Sequence, residues 1–226
     1  MTEPHDRLPL LMFDYDGVIV DSYDVFVTAL IDSCRMVGIA GVATPEDVLA
    51  LFEGNVYERL RAKGADEAAV HDVVGRSAGA LRLALPWLRP FPLMPQVVSD
   101  LADARRVVVV TSNTEDLVVA FLDRHGVEGV EVAGAQSGES KVRKIERLLA
   151  DHPGQDPVWF VSDTAGDMRE ARLAGVTPLG VAWGWHDPAV LLEAGAEAIA
   201  ETPADLLALV APELRADFLG IGGEEE

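Results

Sequence analysis

Short apolar runs rich in β-branched residues recur along this chain, and they constrain its fold more than any other feature. Five of them are predicted to be strands: 10–13, 107–111, 130–133, 158–161 and 179–183. None shows the apolar–polar alternation of a half-exposed strand, which indicates a parallel sheet covered on both faces. Amphipathic helices are predicted between them, over 96–104, 115–125, 142–151, 167–174 and 204–210. The alternation favours an α/β fold with a doubly wound, Rossmann-like parallel sheet.

One long segment departs from this alternation. Between the first two strands the chain has helical patterns over 23–37, 45–52, 56–63 and 66–85, and no convincing strand. Four prolines between positions 86 and 95 mark the return to the sheet, because proline does not continue a helix. The sequence therefore predicts an α/β core domain, residues 1–20 and 89–226, with an inserted α-helical cap domain at residues 21–88.

The formal net charge of −20 at pH 7 limits the partners that this chain can have. A surface this acidic repels the phosphate backbones of nucleic acids and the anionic faces of membranes. The apolar runs are too short for a membrane span or a signal sequence. Cys34 is the single cysteine, so an intrachain disulfide is impossible. We expect a cytoplasmic protein, monomeric or homodimeric, with no nucleic-acid or membrane partner.

The first predicted strand ends in two aspartates, within the run Phe-Asp-Tyr-Asp-Gly at 13–17. In an open parallel sheet, ligands bind at the carboxyl ends of the strands. Asp14 and Asp16 would point into one crevice there, where carboxylates about 4 Å apart repel by roughly 4 kcal/mol at an effective dielectric of 20. A divalent cation offsets that repulsion, and Gly17 lets the chain turn away. The run predicts a metal-binding crevice; the alternative is an Asp- and Gly-rich surface turn.

Polar residues also follow the second strand, where Thr111, Ser112 and Asn113 come after four valines. A hydroxyl group and successive backbone N–H groups at this strand end can hold phosphate oxygens, helped by the N-terminus of the next helix. The alternative is that Ser112 or Asn113 caps that helix without any ligand. The sequence leaves both interpretations open.

Lysine is rare in this chain, yet two of its three lysines follow the third predicted strand. Lys141 lies at the start of a helix, where a positive charge opposes the helix macrodipole. Neutralising a bound phosphate and crowded carboxylates explains that position better than solvation does. Lys144 is the candidate if the register of this motif differs, and an exposed lysine without such a role is the alternative.

The fourth strand runs into Ser-Asp-Thr-Ala-Gly-Asp at 162–167. Asp163 falls at the strand end. Asp167 lies one turn further on, at a helix start, where its carboxylate also complements the helix dipole. That favourable dipole contact is the alternative explanation for Asp167, whereas Asp163 has none. Four polar features therefore lie at successive strand ends.

Together these motifs resemble the haloacid dehalogenase superfamily, and in particular its phosphoglycolate-phosphatase-like branch. The resemblance to the superfamily rests on FDYDG with Val20-Asp21-Ser22 after it, on the strand VVVVTSN, on Lys141 and on SDTAGD. The resemblance to that branch rests on the stretches DMREARLAG at 167–175 and VAWG at 181–184. It spans the α/β part of the chain, and the helical insertion is similar to the helical cap of that family. Two departures are Ser162, where the family usually has glycine, and the absence of a proline after Lys141.

The resemblance implies a Mg²⁺-dependent phosphatase that acts on a small phosphorylated metabolite, such as phosphoglycolate or a sugar phosphate. Asp14 would attack phosphorus and form an aspartyl-phosphate. Asp16 would protonate the leaving alkoxide and then activate the hydrolytic water. Thr111 and Lys141 would bind the transferring phosphoryl group, whose charge must be neutralised during transfer.

The resemblance also implies a metal site and further substrate contacts. The ion would be held by Asp14, Asp16, Asp163 and Asp167, with Asp16 using its backbone carbonyl and Asp167 acting nearby or through water. The substrate-binding candidates are Gly17, Ser112 and Asn113.

Other reactions of the superfamily fit the motifs less well. Dehalogenation and phosphonate cleavage go with the absence of a second aspartate, so the presence of Asp16 argues against both. A sugar-phosphate mutase keeps both aspartates and is the alternative enzyme. A catalytically silent relative that binds or regulates a partner is the alternative from another functional class.

The inserted helices are expected to close over the crevice and to set specificity. The polar turn at 53–55 either faces the crevice or is a plain interhelical turn. Trp183 and Trp185 are expected to pack, and His186 is a candidate to support the site. The basic candidates for an anionic substrate group, or for solvated helix faces, are Arg59, Arg61, Arg76, Arg82 and Arg89.

Overall fold

A computed structural model describes residues 8–135, 140–152 and 157–215. The strands are β1 (Leu10–Phe13), β2 (Val20–Asp21), β3 (Arg89–Pro90), β4 (Arg106–Val110), β5 (Glu131–Ala133), β6 (Trp159–Ser162), β7 (Thr177–Val181) and β8 (Ala198–Ala200). The helices are α1 (Tyr23–Val37), α2 (Pro45–Leu51), α3 (Val56–Ala62), α4 (Glu67–Ala84), α5 (Met94–Ala104), α6 (Glu115–Arg124), α7 (Lys141–Ala150), α8 (Ala165–Leu173), α9 (Pro188–Glu193) and α10 (Pro203–Val210).

Six strands form one sheet in the order β5-β4-β1-β6-β7-β8, and every neighbouring pair is parallel. Strand β1 lies inside the sheet, between β4 and β6. Its residues Leu10 to Phe13 are buried on both faces, as the lack of alternation in its sequence indicates. The prediction of a doubly wound α/β fold is confirmed.

At the β7–β8 edge of the sheet, the structure differs from the elements that the sequence predicts. Strand β7 begins at Thr177, two residues before the predicted start, because Pro178 and Gly180 weaken the strand pattern. Strand β8 and helix α9 were not predicted, since each is short. Strand β8 pairs with β7 and completes this edge.

Helices α1 to α4 lie within one residue of the predicted bounds and share an apolar cluster of their own. The cluster is centred on α1 and α4 and includes Val27, Leu30, Val70 and Val73. The division of the chain into a core and a cap domain stays a prediction, and a separate helical core supports it. Within the described ranges, no helix has both the length and the apolar character that crossing a membrane requires.

The entry and exit of the helical insertion lie side by side. The proline-rich return contains β3, which pairs antiparallel with β2 through Val20 with Pro90 and Asp21 with Arg89. The sequence predicts no strand here, because a two-residue pairing leaves no periodic pattern. The pairing anchors the insertion directly after the β1 motif.

Candidate active site

The motif residues come together at one edge of the sheet. Asp14 follows β1, Thr111 follows β4 and Asp163 follows β6, so the three residues end three neighbouring strands. The backbone N–H of Asp14 donates to the carbonyl of Val161 at 2.8 Å, which continues the ladder by one residue. The strand order reverses at β1, and such a switch point opens a crevice in a doubly wound sheet.

Asp14 and Lys141 form a buried ion pair at this crevice. The Nζ atom of Lys141 lies 2.9 Å from Oδ2 of Asp14 and 2.6 Å from Oδ2 of Asp167. Burial alone lowers the pKa of Lys141, but the two carboxylates outweigh it and raise that pKa well above its usual value. Burial raises the pKa of Asp14, Lys141 opposes the rise, and Asp167 and Asp163 add to it. Lys141 therefore stays charged between the carboxylates.

Lys144 has a different place in the structure. Its side chain is buried, and Nζ donates to the backbone carbonyl of Thr111 at 2.6 Å. This hydrogen bond stabilises the backbone at the end of β4, whereas Lys141 contacts Asp14. Of the two lysines that the sequence offered, Lys141 is thus the one that faces the first aspartate.

Asp16 is held by side chains from two other segments. Its Oδ1 accepts the hydroxyl of Ser22 at 2.6 Å, and its Oδ2 accepts the side-chain amide of Asn113. Burial raises the pKa of Asp16 to about 6, against the lowering effects of Ser22, Lys141 and Asn113. Ser22 precedes α1 but makes no side-chain cap there, because its hydroxyl is used by Asp16. The carboxyl can therefore exchange a proton near neutral pH.

The polar run after β4 serves the site rather than a helix cap. Helix α6 is preceded by Thr114, so neither Ser112 nor Asn113 is its N-cap residue. The hydroxyl of Thr111 accepts the N–H of Asn113 at 3.1 Å, which shapes the turn. Asn113 is buried against Asp16, whereas Ser112 is exposed. The capping alternative is thereby excluded.

Asp167 lies at the start of α8, as predicted. Its Oδ2 accepts the hydroxyl of Ser162 at 2.5 Å and also contacts Lys141. The backbone N–H of Asp167 donates to the Thr164 hydroxyl, which caps the helix. Ser162, the departure from the glycine usual in the family, thus contributes a hydrogen bond to this carboxylate.

Asp163 is fully buried behind the other carboxylates. Its Oδ2 accepts the backbone N–H of Trp185 at 2.8 Å. Its Oδ1 has no hydrogen-bond partner among the described residues. Burial raises its pKa to about 7, the Trp185 N–H lowers it, and Asp167 adds to the rise. A buried oxygen without a donor is costly for a carboxylate, so this atom has room for a proton or a cation.

Comparison with known proteins decides the family. Residues 11–181, well over half of the chain, match the sequence profile described as haloacid dehalogenase-like hydrolase. The chain belongs to this hydrolase family. The resemblance carried by the strand-end motifs is therefore confirmed, and the protein is an enzyme of a hydrolase family.

Similar proteins cover nearly the whole hydrolase. A phosphoglycolate phosphatase of Synechococcus elongatus is 27% identical over 219 residues, which are 91% of this chain and 98% of that protein. A phosphoglycolate phosphatase of Agrobacterium fabrum is 28% identical over 199 residues, covering 82% and 85%. The crystal structure of a hydrolase from Pseudomonas syringae has a TM-score of 0.73 at 18% identity, with 90% and 98% of the two chains covered. The last likeness concerns the fold alone.

The carboxylates of this hydrolase do not form a ready-made metal cage. Among the residues that the structure describes, no three His, Cys, Asp or Glu side chains gather in a group that could hold a metal ion. Each carboxylate has a protein donor instead. The donor set still suits a hard divalent cation, since it consists of carboxylate oxygens and includes the unpartnered Oδ1 of Asp163. The predicted metal ligands stay a prediction.

A cavity of about 100 Å³ opens above these residues. A water needs about 10–15 Å³ on this measure, so the cavity has room for a small organic ligand. Seven of the predicted site residues line it: Asp14, Asp16, Thr111, Ser112, Asn113, Lys141 and Asp167. Gly17 and Asp163 do not line it. Gly17 has a φ of +73° and lies against Asp163 instead.

The inserted helices contact the hydrolase core at the turn 53–55. The N–H of Gly166 donates to the carbonyl of Phe52 at 2.8 Å, and Asn55 donates to Glu170 at 3.0 Å. Gly54 and Asn55 line the cavity. The structure agrees with the interpretation in which this turn faces the crevice, and not with a plain interhelical turn.

Residues after β7 join the two parts of the hydrolase. Trp185 packs against Phe26 and Phe52, with ring centroids 5.2 Å apart in both pairs, and it lines the cavity. His186 accepts the N–H of Ala165 through Nδ1, and its Nε2 lies 3.1 Å from the carbonyl of Leu49. The expected packing role of Trp185 is confirmed, and His186 joins α8 to the inserted helices.

Part of the cavity wall comes from residues that the sequence does not mark as functional. Tyr57 and Ser77 line the cavity but lie on α3 and α4, which carry no motif, and Glu170 lines it from α8, one turn beyond the motif residue Asp167. Their spacing in the sequence marks them as ordinary helix residues. Only the packing of α3, α4 and α8 around the crevice reveals them.

Proposed function

We propose that this hydrolase is a Mg²⁺-dependent phosphatase that cleaves a small phosphomonoester through an aspartyl-phosphate intermediate on Asp14. One observation carries the proposal: the buried carboxylate of Asp14 lies on a cavity wall beside Lys141, and a second carboxylate, Asp16, lines the same cavity. A nucleophile, a proton donor and a fixed positive charge are what phosphoryl transfer by a carboxylate requires.

The residues divide the reaction into two steps. A carboxylate oxygen of Asp14 attacks phosphorus, the bond from phosphorus to the leaving oxygen breaks, and Asp16 gives its proton to that oxygen. Water then attacks the phosphorus of the aspartyl-phosphate while the Asp16 carboxylate takes the proton of the water. Phosphate leaves, and Asp14 and Asp16 return to their starting states. The pKa of Asp16 near 6 suits both roles.

Lys141 and the turn after β4 bind the phosphoryl group in this proposal. The ammonium group of Lys141 is permanently charged and lies beside the nucleophile, so it neutralises equatorial phosphoryl oxygens as they gather charge. Thr111 contributes its hydroxyl, and Ser112 contributes its hydroxyl and backbone N–H, to the lining of the same cavity.

A divalent cation completes the charge balance. Asp14, the backbone carbonyl of Asp16, Asp163 and Asp167 would hold it. When bound, it supplies the positive charge that lets a carboxylate approach an anionic phosphate. The unpartnered Oδ1 of Asp163 supports an ion at this place. So do the neighbouring carboxylates, because Asp167 and Asp163 add to the raised pKa of Asp14 and Asp167 adds to that of Asp163.

The names of the relatives guide the choice of substrate class. Two curated relatives are phosphoglycolate phosphatases, so the substrate is inferred to be a small phosphorylated metabolite, and phosphoglycolate and sugar phosphates are the first compounds to assay. Such metabolites are cytoplasmic, and the acidic surface with a single cysteine fits that setting.

The deciding experiment is phosphate release from a panel of phosphorylated metabolites with Mg²⁺. We expect turnover that EDTA removes and that Asp14→Asn abolishes without loss of the circular dichroism spectrum. Absence of turnover on the whole panel would indicate a catalytically silent binding protein. Turnover that requires a sugar bisphosphate activator and yields an isomer instead of free phosphate would indicate a mutase.

A further inference from the structure

The cavity has two chemically different ends. The sheet end carries the charged groups that the proposed phosphatase reaction uses. The opposite end is formed by the inserted helices, and its wall is apolar: Phe26, Leu30, Phe52, Val56, Val74 and Ala78. A phosphomonoester bound with its phosphoryl group at the sheet end places its leaving alcohol against this apolar wall.

Two polar side chains at the helical end, Asn55 and Ser77, are already engaged, and the phenol of Tyr57 is uncharged. Asn55 donates to Glu170, and its Oδ1 accepts the N–H groups of Tyr57 and Glu58. The hydroxyl of Ser77 donates to the carbonyl of Val73 at 2.9 Å. Glu170 itself brings a carboxylate to the wall. These groups offer no positive charge to a ligand.

Positive charge is confined to the sheet end of the cavity. Lys141 is the one basic side chain on the cavity wall within the described ranges, and it contacts two carboxylates. No basic side chain of the inserted helices lines the cavity within the described ranges, although Arg59 lies against Gly54, which does. Four of these side chains form ion pairs: Arg59–Glu53, Arg61–Glu67, Arg76–Asp72 and Arg82–Asp116. Outside the described ranges the sequence contains only His5 and Arg7 as basic residues.

A second negative charge on the substrate would therefore lie without a partner. Removing a carboxylate from water without an ion pair or hydrogen bonds costs several kcal/mol, and the carboxylate of Glu170 would add repulsion. An uncharged leaving group avoids this cost, and its apolar part contributes about 25 cal/mol per Å² of buried surface. Trp185 adds a further aromatic side chain to the cavity wall.

We infer that the enzyme prefers phosphomonoesters whose leaving alcohol is uncharged and partly apolar over those whose leaving alcohol carries a carboxylate. This inference rests on the proposed phosphatase activity. It separates this chain from the substrate after which its relatives are named, because phosphoglycolate is the phosphate ester of a hydroxy acid. Specificity then lies in α1, α3 and α4 rather than in the strand-end motifs.

The test compares two esters of nearly equal size that differ in charge: phosphoglycolate and its amide, phosphoglycolamide, with benzyl phosphate as a larger apolar ester. With Mg²⁺ present, we expect kcat/KM for the amide to exceed that for phosphoglycolate at least tenfold, with benzyl phosphate also preferred. Equal or higher kcat/KM for phosphoglycolate would overturn the inference and leave the phosphatase activity established. No hydrolysis of any ester would overturn both.

A charge-placement variant tests the same inference from the protein side. Ala78→Arg brings a cation to the helical end, and Gly79→Arg adds the same charge to the exposed neighbouring position, where the structure leaves open space. Ala78→Arg should raise the ratio of kcat/KM for phosphoglycolate to that for the amide at least tenfold, and Gly79→Arg should leave it unchanged. Equal ratios in the two variants would contradict the inference. The comparison of esters on the unmodified enzyme stands even if Ala78→Arg does not fold.

Discussion

The carboxylate of Asp163 occupies the space in which a side chain at Gly17 would lie. A Cβ atom built on Gly17 overlaps Oδ2 of Asp163, and one built on Gly184 overlaps its Cβ. Gly17 also has a φ of +73°, in the left-handed region that favours glycine. Two glycines, one after β1 and one after β7, therefore hold this carboxylate in place behind the site.

Gly17→Ala should displace Asp163 and weaken metal binding. The left-handed conformation costs an alanine about 1–2 kcal/mol, and the overlap with Asp163 adds to this. We expect a lower free energy of unfolding in urea and a weaker Mg²⁺ affinity by calorimetry. Gly75→Ala is the matched control, because Gly75 is exposed on α4 with open space around it. That control should keep its metal affinity and gain slightly in stability.

Replacing Lys141 should mainly lower kcat, whereas replacing Lys144 should mainly lower the free energy of unfolding. Lys141→Met removes the positive charge beside Asp14, and kcat should fall about 10²–10³-fold, as when one transition-state donor is removed. Lys144→Met removes the donor to the Thr111 carbonyl. It should lower the free energy of unfolding by about 1–3 kcal/mol and keep kcat within about tenfold. Steady-state kinetics and urea denaturation of both variants check this, and the reverse ordering of kcat would be inconsistent with the proposed site.

The pH dependence of turnover should follow the hydrogen bonds of Asp16. Its pKa lies at about 6, and Ser22 holds it lower than burial alone would. The first step needs Asp16 protonated, so activity falls as pH rises through this pKa. Ser22→Ala removes the hydroxyl that stabilises the carboxylate, and the alkaline limb of kcat/KM should move to higher pH. Measurement from pH 5 to pH 9 tests the direction, and a shift to lower pH would refute the role of Asp16 as acid.

The metal-free enzyme should lose stability as pH rises from about 4 to about 7. The pKa of Asp163 is raised to about 7 and that of Asp16 to about 6, both from an ordinary 3.8. In that window the folded state binds more protons than the unfolded state, so the free energy of unfolding falls with rising pH. Thermal denaturation in EDTA should give a melting temperature lower at pH 8 than at pH 5.

Two further measurements distinguish the effect of these buried carboxylates on stability from the charge repulsion expected in any acidic protein. Asp163→Asn should flatten this pH dependence, since the neutral amide does not need the proton. Mg²⁺ should raise the melting temperature more at pH 8 than at pH 5, because metal ligands must be deprotonated. Each kcal/mol corresponds to about 2–4 °C for a chain of this size. An identical pH dependence in Asp163→Asn would show that Asp163 is not responsible.

The local parts of this structure follow closely from the sequence. The bounds of α1 to α4 and the position of β1 agree with the apolar periodicity to within one residue. The strand-end positions of Asp14, Thr111 and Asp163 follow from runs of buried strand residues. The order of strands and helices then leads to the doubly wound sheet, because parallel strands need helical crossovers.

Features without a periodic signal were missed. Strand β8 and the pair β2–β3 have two or three residues each, so neither shows a pattern of its own. The assignment of Gly17 to substrate binding stays a prediction, and the structure adds that this glycine makes room for Asp163.

What the sequence by itself determined is the fold and the set of polar residues at the strand ends, since both depend on neighbours within a few positions. Only the tertiary structure decided that Lys141 rather than Lys144 contacts Asp14, that Asn113 holds Asp16, and that an apolar wall from the inserted helices faces the charged end of the cavity. These contacts join segments far apart in the chain. Their distances are set by how helices pack over a sheet, which no local spacing encodes.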